Sequence, residues 1–214
     1  MDYSWLDILA ASAALLGVWM CGVIRIRTLL AGLALQVAAM AGITLYIGLV
    51  THVTHFLILA VVVLLVKAIA IPWYLAWAAK QLETREDRGV TVAPTLTMII
   101  GLAILATCYF GASFIAVPSL GNVGAAGMAA ALVLLGMLLM IGRRLAISQV
   151  IGFLMMENGI FLYGLTQTPG MPMLVEMGVI FDVLVGVLVS GLVIFRLNRS
   201  FEHIDVTQFR GLRH

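Results

Sequence analysis

Seven stretches of mostly apolar residues run through the chain, near 4–24, 28–50, 53–79, 95–117, 122–142, 147–167 and 174–196. Each has the length of about 20 residues that an α-helix needs to cross the hydrocarbon core of a bilayer. No other feature limits the fold as strongly. Inside a bilayer a segment has no water to satisfy its backbone N–H and C=O groups, and a helix satisfies them within itself. The composition agrees: 63% of the 214 residues are hydrophobic and 10% are charged, where a soluble domain carries about a quarter. The expectation is an all-α integral membrane protein of about seven transmembrane helices.

Charges between the stretches set an orientation. Arg25 and Arg27 separate the first two stretches, and Lys80, Arg85 and Arg88 follow the third in KQLETREDRG. Arg143 and Arg144 precede the sixth, and Arg196, Arg199, Arg210 and Arg213 lie in the tail. The alternate connections THVTH, PSLGNVG and TQTPGMP hold no lysine or arginine. Eleven of the twelve basic residues therefore fall on one side, which the positive-inside rule makes cytoplasmic. The N-terminus is then outside and the C-terminus cytoplasmic, which requires an odd number of spans. MDYSWLDILA carries Asp2 and Asp7 but no basic residue, unlike a cleaved signal peptide, so the first stretch is expected to be a retained helix. The chain divides into an N-terminal three-helix unit (1–80), a cytoplasmic loop and connector helix (81–120), a second three-helix unit (121–197) and a polar cytoplasmic tail (198–214).

A net charge of +2 without a dense basic patch does not suggest a nucleic acid partner. No Cys/His metal spacing, Gly-rich phosphate loop or nucleophile elbow occurs, and the loops are too short for a soluble domain. No catalytic, cofactor-binding or metal site is expected in this chain. Cys21 and Cys108 lie in apolar segments and read as small buried hydrophobes rather than a disulfide. His52 and His55 are three apart but lack the further ligands of a metal site.

Three charges stand inside the apolar stretches: Lys67 in VVVLLVKAIAIP, Glu157 in GFLMMENGIF and Asp182 in VIFDVLVG. Asp182 is about 8 residues into its stretch, roughly 12 Å deep at about 1.5 Å per residue. Each costs about 2.5–3.5 kcal/mol on insertion scales, and such charges survive where they face a bundle interior or a wet cavity. Desolvation brings the proton affinities of a buried acid and a buried base closer together. Such groups can exchange protons near neutral pH, so these three are candidate proton-relay residues. The bland alternative is an ion pair of Lys67 with Glu157 or Asp182 that only fixes packing. Gln36 and Asn158 join the candidate set as polar residues able to hydrogen-bond across helices or to solvate Glu157.

Pro72, five residues after Lys67, removes a backbone donor and is expected to kink the third helix. Trp73 and Trp77 read as an interfacial belt. GNVGAAG and the pair Gly186/Gly191 read as close helix approaches. Ser148 and Gln149 sit at a helix start as possible caps, and Glu176 can reach the outer interface.

The two three-helix units resemble one another. ALLGVWMCGVIRIRTLLAGLALQ can be laid over VLLGMLLMIGRRLAISQVIGFLMME. Each is a glycine-containing helix ending in two arginines, then a turn into a helix with a buried polar residue. Gln36 falls near Glu157 in that overlay, and Lys67 and Asp182 each occupy the middle of a third helix. A duplicated unit is the expectation.

These residues resemble a known family. Residues 121–211 are similar to the K subunit of bacterial respiratory complex I. The shared features are GFLMMENGI around Glu157, Asp182 followed four residues later by Gly186, and HIDVTQFRG at 203–211. The whole chain resembles the component E family of hydrogenase-4 type formate hydrogenlyases. The resemblance implies that Glu157 and Asp182 form part of a chain of buried polar groups across a membrane arm. The second position holds Asp where the K family has Glu, so its reach differs. Lys67 has no counterpart in a three-helix K subunit; it resembles the buried lysines of antiporter-like subunits, and its role in a relay is inferred, not carried over. The implied protein is a non-catalytic membrane subunit of a complex-I-like hydrogenase in a bacterial or archaeal inner membrane. Its partners would be antiporter-like subunits and hydrogenase catalytic subunits, with nickel–iron and iron–sulfur centres on those partners. Two other readings stay open: a subunit of a multisubunit cation/proton antiporter, and a structural membrane scaffold with static charge pairs.

Overall fold

The computed structural model describes residues 4–52, 54–81, 86–87, 93–116 and 122–167, with 185–187, 189 and 191 near the C-terminus. Among them every regular element is helical. In chain order these are α1 (Ser4–Gly22), α2 (Ile26–Thr51), α3 (Thr54–Val62), a π-helical stretch (Val63–Ala70), α4 (Ile71–Gln81), α5 (Pro94–Phe110), α6 (Ala112–Ile115), α7 (Val123–Gly142) and α8 (Ala146–Gln167). Among the described residues five helices are long and apolar enough to cross a membrane: Trp5–Gly22, Ile26–Thr51, the continuous rod Phe56–Gln81, Val123–Gly142 and Ala146–Gln167. They coincide with the expected stretches one, two, three, five and six. The fourth stretch is a shorter apolar helix, Pro94–Phe110, continued after a turn at Gly111 by the four-residue α6. The seventh lies almost wholly outside the described residues, as do Asp182, Glu176 and the tail.

Local chemistry explains several helix ends. Pro94 opens α5 at a position where its missing N–H costs nothing. Asn122 caps α7, its Oδ1 accepting from the backbone N–H of Gly124 at 2.8 Å and of Ala125 at 3.3 Å. His52 ends α2 in the left-handed conformation, φ 54°, a role that its imidazole tolerates better than most side chains.

The proline at 72 is accommodated without a break in the rod. A proline ring clashes with the carbonyl four residues back and offers no N–H. Here the ladder widens before it, and the Ile71 N–H reaches Val66 O, five residues back. The expected kink takes the form of this π-helical stretch, with Lys67 near its middle.

Helix α8 is the centre of the bundle, with 61% of its apolar window buried, against 28% for the rod Phe56–Gln81 at the periphery. α7 and α8 meet backbone to backbone. A Cβ at Gly136 would stand 2.5 Å from Met156 N and 2.6 Å from Gly152 O, and one at Gly159 would stand 2.7 Å from Ala129 O. Helices approach this closely only where side chains are absent. In GNVGAAG, a Cβ on Gly127 would lie 2.8 Å from Cys108 O, so close packing holds there. Most of the seventh stretch around Gly186 and Gly191 lies outside the described residues, and so does the close approach expected there.

Large apolar side chains such as Leu15, Ile58, Ile69, Phe110 and Phe114 stand exposed around the outside. An apolar surface of this extent is suited to lipid rather than water.

Candidate functional site

Glu157 has eleven residues of α8 before it and ten after it, so it lies at the middle of a helix about 33 Å long. Glu157, Asn158, Gln36 and Lys67 are 3%, 2%, 0% and 8% exposed. Three helical rods bring them together. Lys67 Nζ donates to Glu157 Oε1 at 2.6 Å, the short distance of a charge-assisted bond. The same ammonium lies 5.8 Å from the Phe161 ring centroid, one turn along α8 from Glu157, within cation–π range. Next to the pair, Asn158 Nδ2 donates to Gln36 Oε1 at 3.1 Å, and Gln36 Nε2 donates to Ala13 O of α1 at 3.1 Å.

The result is a polar line across the bundle in two hydrogen-bonded parts, Ala13 carbonyl–Gln36–Asn158 and Glu157–Lys67, which adjoin through the backbone of α8. Four of the five candidate residues from the sequence stand in it; the fifth, Asp182, is outside the described residues. Val185 and Val189, shortly after Asp182, are buried in the core. Of the four, only Glu157 and Lys67 can gain or lose a proton; the amides join α8 to α2 and α2 to α1 by single hydrogen bonds. Two oppositely charged groups out of water are held by their mutual attraction and geometry, and removing one leaves the other uncompensated.

A second polar cluster, at the end of the bundle where α1 and α7 finish, was not anticipated. Arg143 and Arg144 look equivalent in sequence, but Arg144 is exposed and Arg143 is buried. Arg143 Nη2 donates to Cys21 O at 3.0 Å and to Val23 O at 2.6 Å. It thus satisfies carbonyls at the C-terminus of α1, where a cation also complements the helix dipole. Burial pulls its guanidinium below the usual arginine value, and the Asp87 carboxylate opposes this. Asp87 is fully buried, and its N–H donates to Ile24 O at 2.9 Å. Thr97 Oγ1 also donates to Cys21 O, at 3.2 Å. Gln149 donates to Arg143 O at 2.9 Å, so it holds the α7–α8 turn rather than a helix start. Nothing in a run of loop charges marks which of them folds inward. At the opposite end Asn122 Nδ2 donates to Asp7 Oδ1 at 2.6 Å, and Gln167 Nε2 donates to Asn122 O at 2.9 Å. This ties the starts of α1 and α7 to the end of α8.

Both described cysteines are unpaired thiols, Cys21 buried and Cys108 half-buried. Trp73 and Trp77 are 72% and 41% exposed, and Trp77 stacks on Tyr74 at 5.8 Å.

The fold and this buried polar line define the class: a multi-pass helical membrane protein with an intramembrane charge pair. Over 191 residues the chain is 34% identical to the uncharacterized protein Rv0085 of Mycobacterium tuberculosis (strain ATCC 25618 / H37Rv), covering 88% of this chain and 86% of that protein, and it belongs to that protein's family. It is distantly related to hydrogenase-4 component E of Escherichia coli (strain K12), 25% identical over 148 residues, or 69% of this chain and 68% of that protein. The hydrogenase-4 component E of Shigella flexneri matches over the same shares at the same identity. No family model and no solved structure matches.

Proposed function

We propose that the chain is a membrane-arm subunit of a complex-I-like, membrane-bound nickel–iron hydrogenase of the hydrogenase-4 or formate hydrogenlyase type. It contributes buried charges to proton translocation coupled to redox chemistry on other subunits. The nickel–iron and iron–sulfur centres belong to those partners, and antiporter-like subunits flank this chain in a bacterial or archaeal inner membrane, with the arginine-rich end cytoplasmic. The observation that carries the reading is the Lys67–Glu157 contact of 2.6 Å halfway along α8, with a separate Asn158–Gln36 bond starting at the next residue. The distant relation to hydrogenase-4 component E supplies the kind of assembly. Asp182 is proposed as a further member of the relay from its place in the sequence.

Replacing Glu157 with Gln keeps the shape and removes the titrating group. The expected outcome, measured on membrane vesicles holding the assembled complex, is loss of coupled proton movement with hydrogen oxidation by artificial acceptors retained. Unchanged proton movement in that variant removes Glu157 from any relay.

The shortness of the Lys67–Glu157 contact also favours a second reading, a static pair in a scaffold subunit. Replacing a buried pair by apolar residues is often neutral or stabilising by about 1–4 kcal/mol, whereas removing one partner costs about 3–5 kcal/mol. A scaffold predicts that Lys67→Met with Glu157→Leu assembles and couples normally. A relay predicts that the double variant assembles but does not couple.

A further inference from the structure

A cleft of ≈ 1190 Å³ opens at the arginine end of the bundle, where α2 starts and α4 ends. Arg25, Arg27 and Lys80 line it together with Trp73, Trp77 and Glu86. Among the described residues, the lining therefore carries more cations than carboxylates. Glu86 lies 3.8 Å from Arg25, while Arg27 and Lys80 have no ion-pair partner among the described residues. Both tryptophans are exposed. Two basic side chains and two indoles share one open cleft. Their chemistry matches the headgroup depth of a bilayer, where indole rings settle and where basic pockets between helices take anionic headgroups. The start of α2 also lies in the wall, and its N-cap, Arg25, gives no side-chain oxygen to the first turn. The positive end of that helix dipole adds to the field. The cleft exceeds the usual small-molecule pocket of about 300–1,000 Å³, which leaves room for acyl carbons beside a headgroup.

We propose that this cleft binds the phosphate of an anionic phospholipid, with Arg27 and Lys80 on the phosphate oxygens and Trp73 and Trp77 against the glycerol and first acyl carbons. The site is distinct from the Lys67–Glu157 pair and requires only that the chain lie in a membrane.

The test is native mass spectrometry of the full chain in mild detergent, offered equal amounts of phosphatidylglycerol and phosphatidylcholine. Selective retention of phosphatidylglycerol is expected. Each basic residue near the surface contributes a factor of about five, so Arg27→Gln with Lys80→Gln is expected to weaken retention about 25-fold. Arg144→Gln, an exposed cation outside the cleft, is expected to leave it unchanged. Melting of each variant in the same detergent establishes that the fold is intact. Equal retention of the two lipids, or no loss in the double variant, overturns the proposal. So does displacement of phosphatidylglycerol by millimolar inorganic phosphate, which assigns the cleft to a soluble anion. Exclusion of phosphatidylglycerol from the chain in its assembled membrane complex gives the cleft to a partner subunit and also overturns it.

Discussion

The hairpins α1–α2 and α7–α8 have similar sequences and different mechanics. Each is a pair of apolar helices joined by three residues, Val23–Arg25 in one and Arg143–Leu145 in the other. In α7–α8 the backbones touch through Gly136, Gly152 and Gly159. In α1–α2 the corresponding close position, Gly32, faces side chains instead, with Met20 Cγ 2.9 Å and the Trp19 ring 3.1 Å from an added Cβ. Asn122 caps α7 with two backbone bonds, whereas Arg25 gives α2 no side-chain cap. The arginine of one turn is buried as a clamp; that of the other is exposed. The hairpin with rigid backbone contact holds Glu157, and the one packed by adjustable side chains holds only the uncharged Gln36.

The largest effect is expected from Gly136→Ala. Its Cβ meets main-chain atoms that cannot rotate away, so the α7–α8 contact must open, at about 3 kcal/mol. Gly32→Ala meets the side chains of Met20 and Trp19 rather than main chain and is expected to cost about 1 kcal/mol. Reversible unfolding in mixed micelles measures both, and equal costs would erase the contrast between the hairpins.

A smaller effect separates the caps. Asn122→Ala is expected to cost about 1 kcal/mol, with the loss of two helix-start bonds and the Asp7 contact. Arg25→Ala is expected to be near neutral, since its contact with Glu86 is 3.8 Å long and the Arg25 side chain is 75% exposed. Thermal melting in detergent ranks them, and a costlier Arg25→Ala would mean that the first turn depends on charge after all.

The smallest effect is expected from Gln36→Leu. Interhelical hydrogen bonds in membranes average about 0.6 kcal/mol, so stability should barely change in the same unfolding assay. Any large loss would show that the bond to Asn158 orders α8, and would bring the two hairpins closer in kind.

Much of this was legible in the sequence because a bilayer allows few solutions. The length of each apolar stretch determined the helices α1, α2, α7 and α8 to within a few residues. The rarity of charge in such stretches singled out Lys67 and Glu157. Pro72 announced a distortion beside Lys67, since a missing N–H disturbs any helix that contains it. Tertiary structure alone decided the rest. Whether the distortion becomes a bend or a π-helical stretch depends on what the rod must reach, and here Lys67 meets Glu157 across ninety residues of chain. Arg143 and Arg144 are adjacent and chemically identical; which one turns inward depends on the carbonyls that α1 presents at Cys21 and Val23. Spacing along a chain reports which residues share a helix. Which helices touch, and therefore which buried charge finds a partner, follows from packing that brings distant segments together.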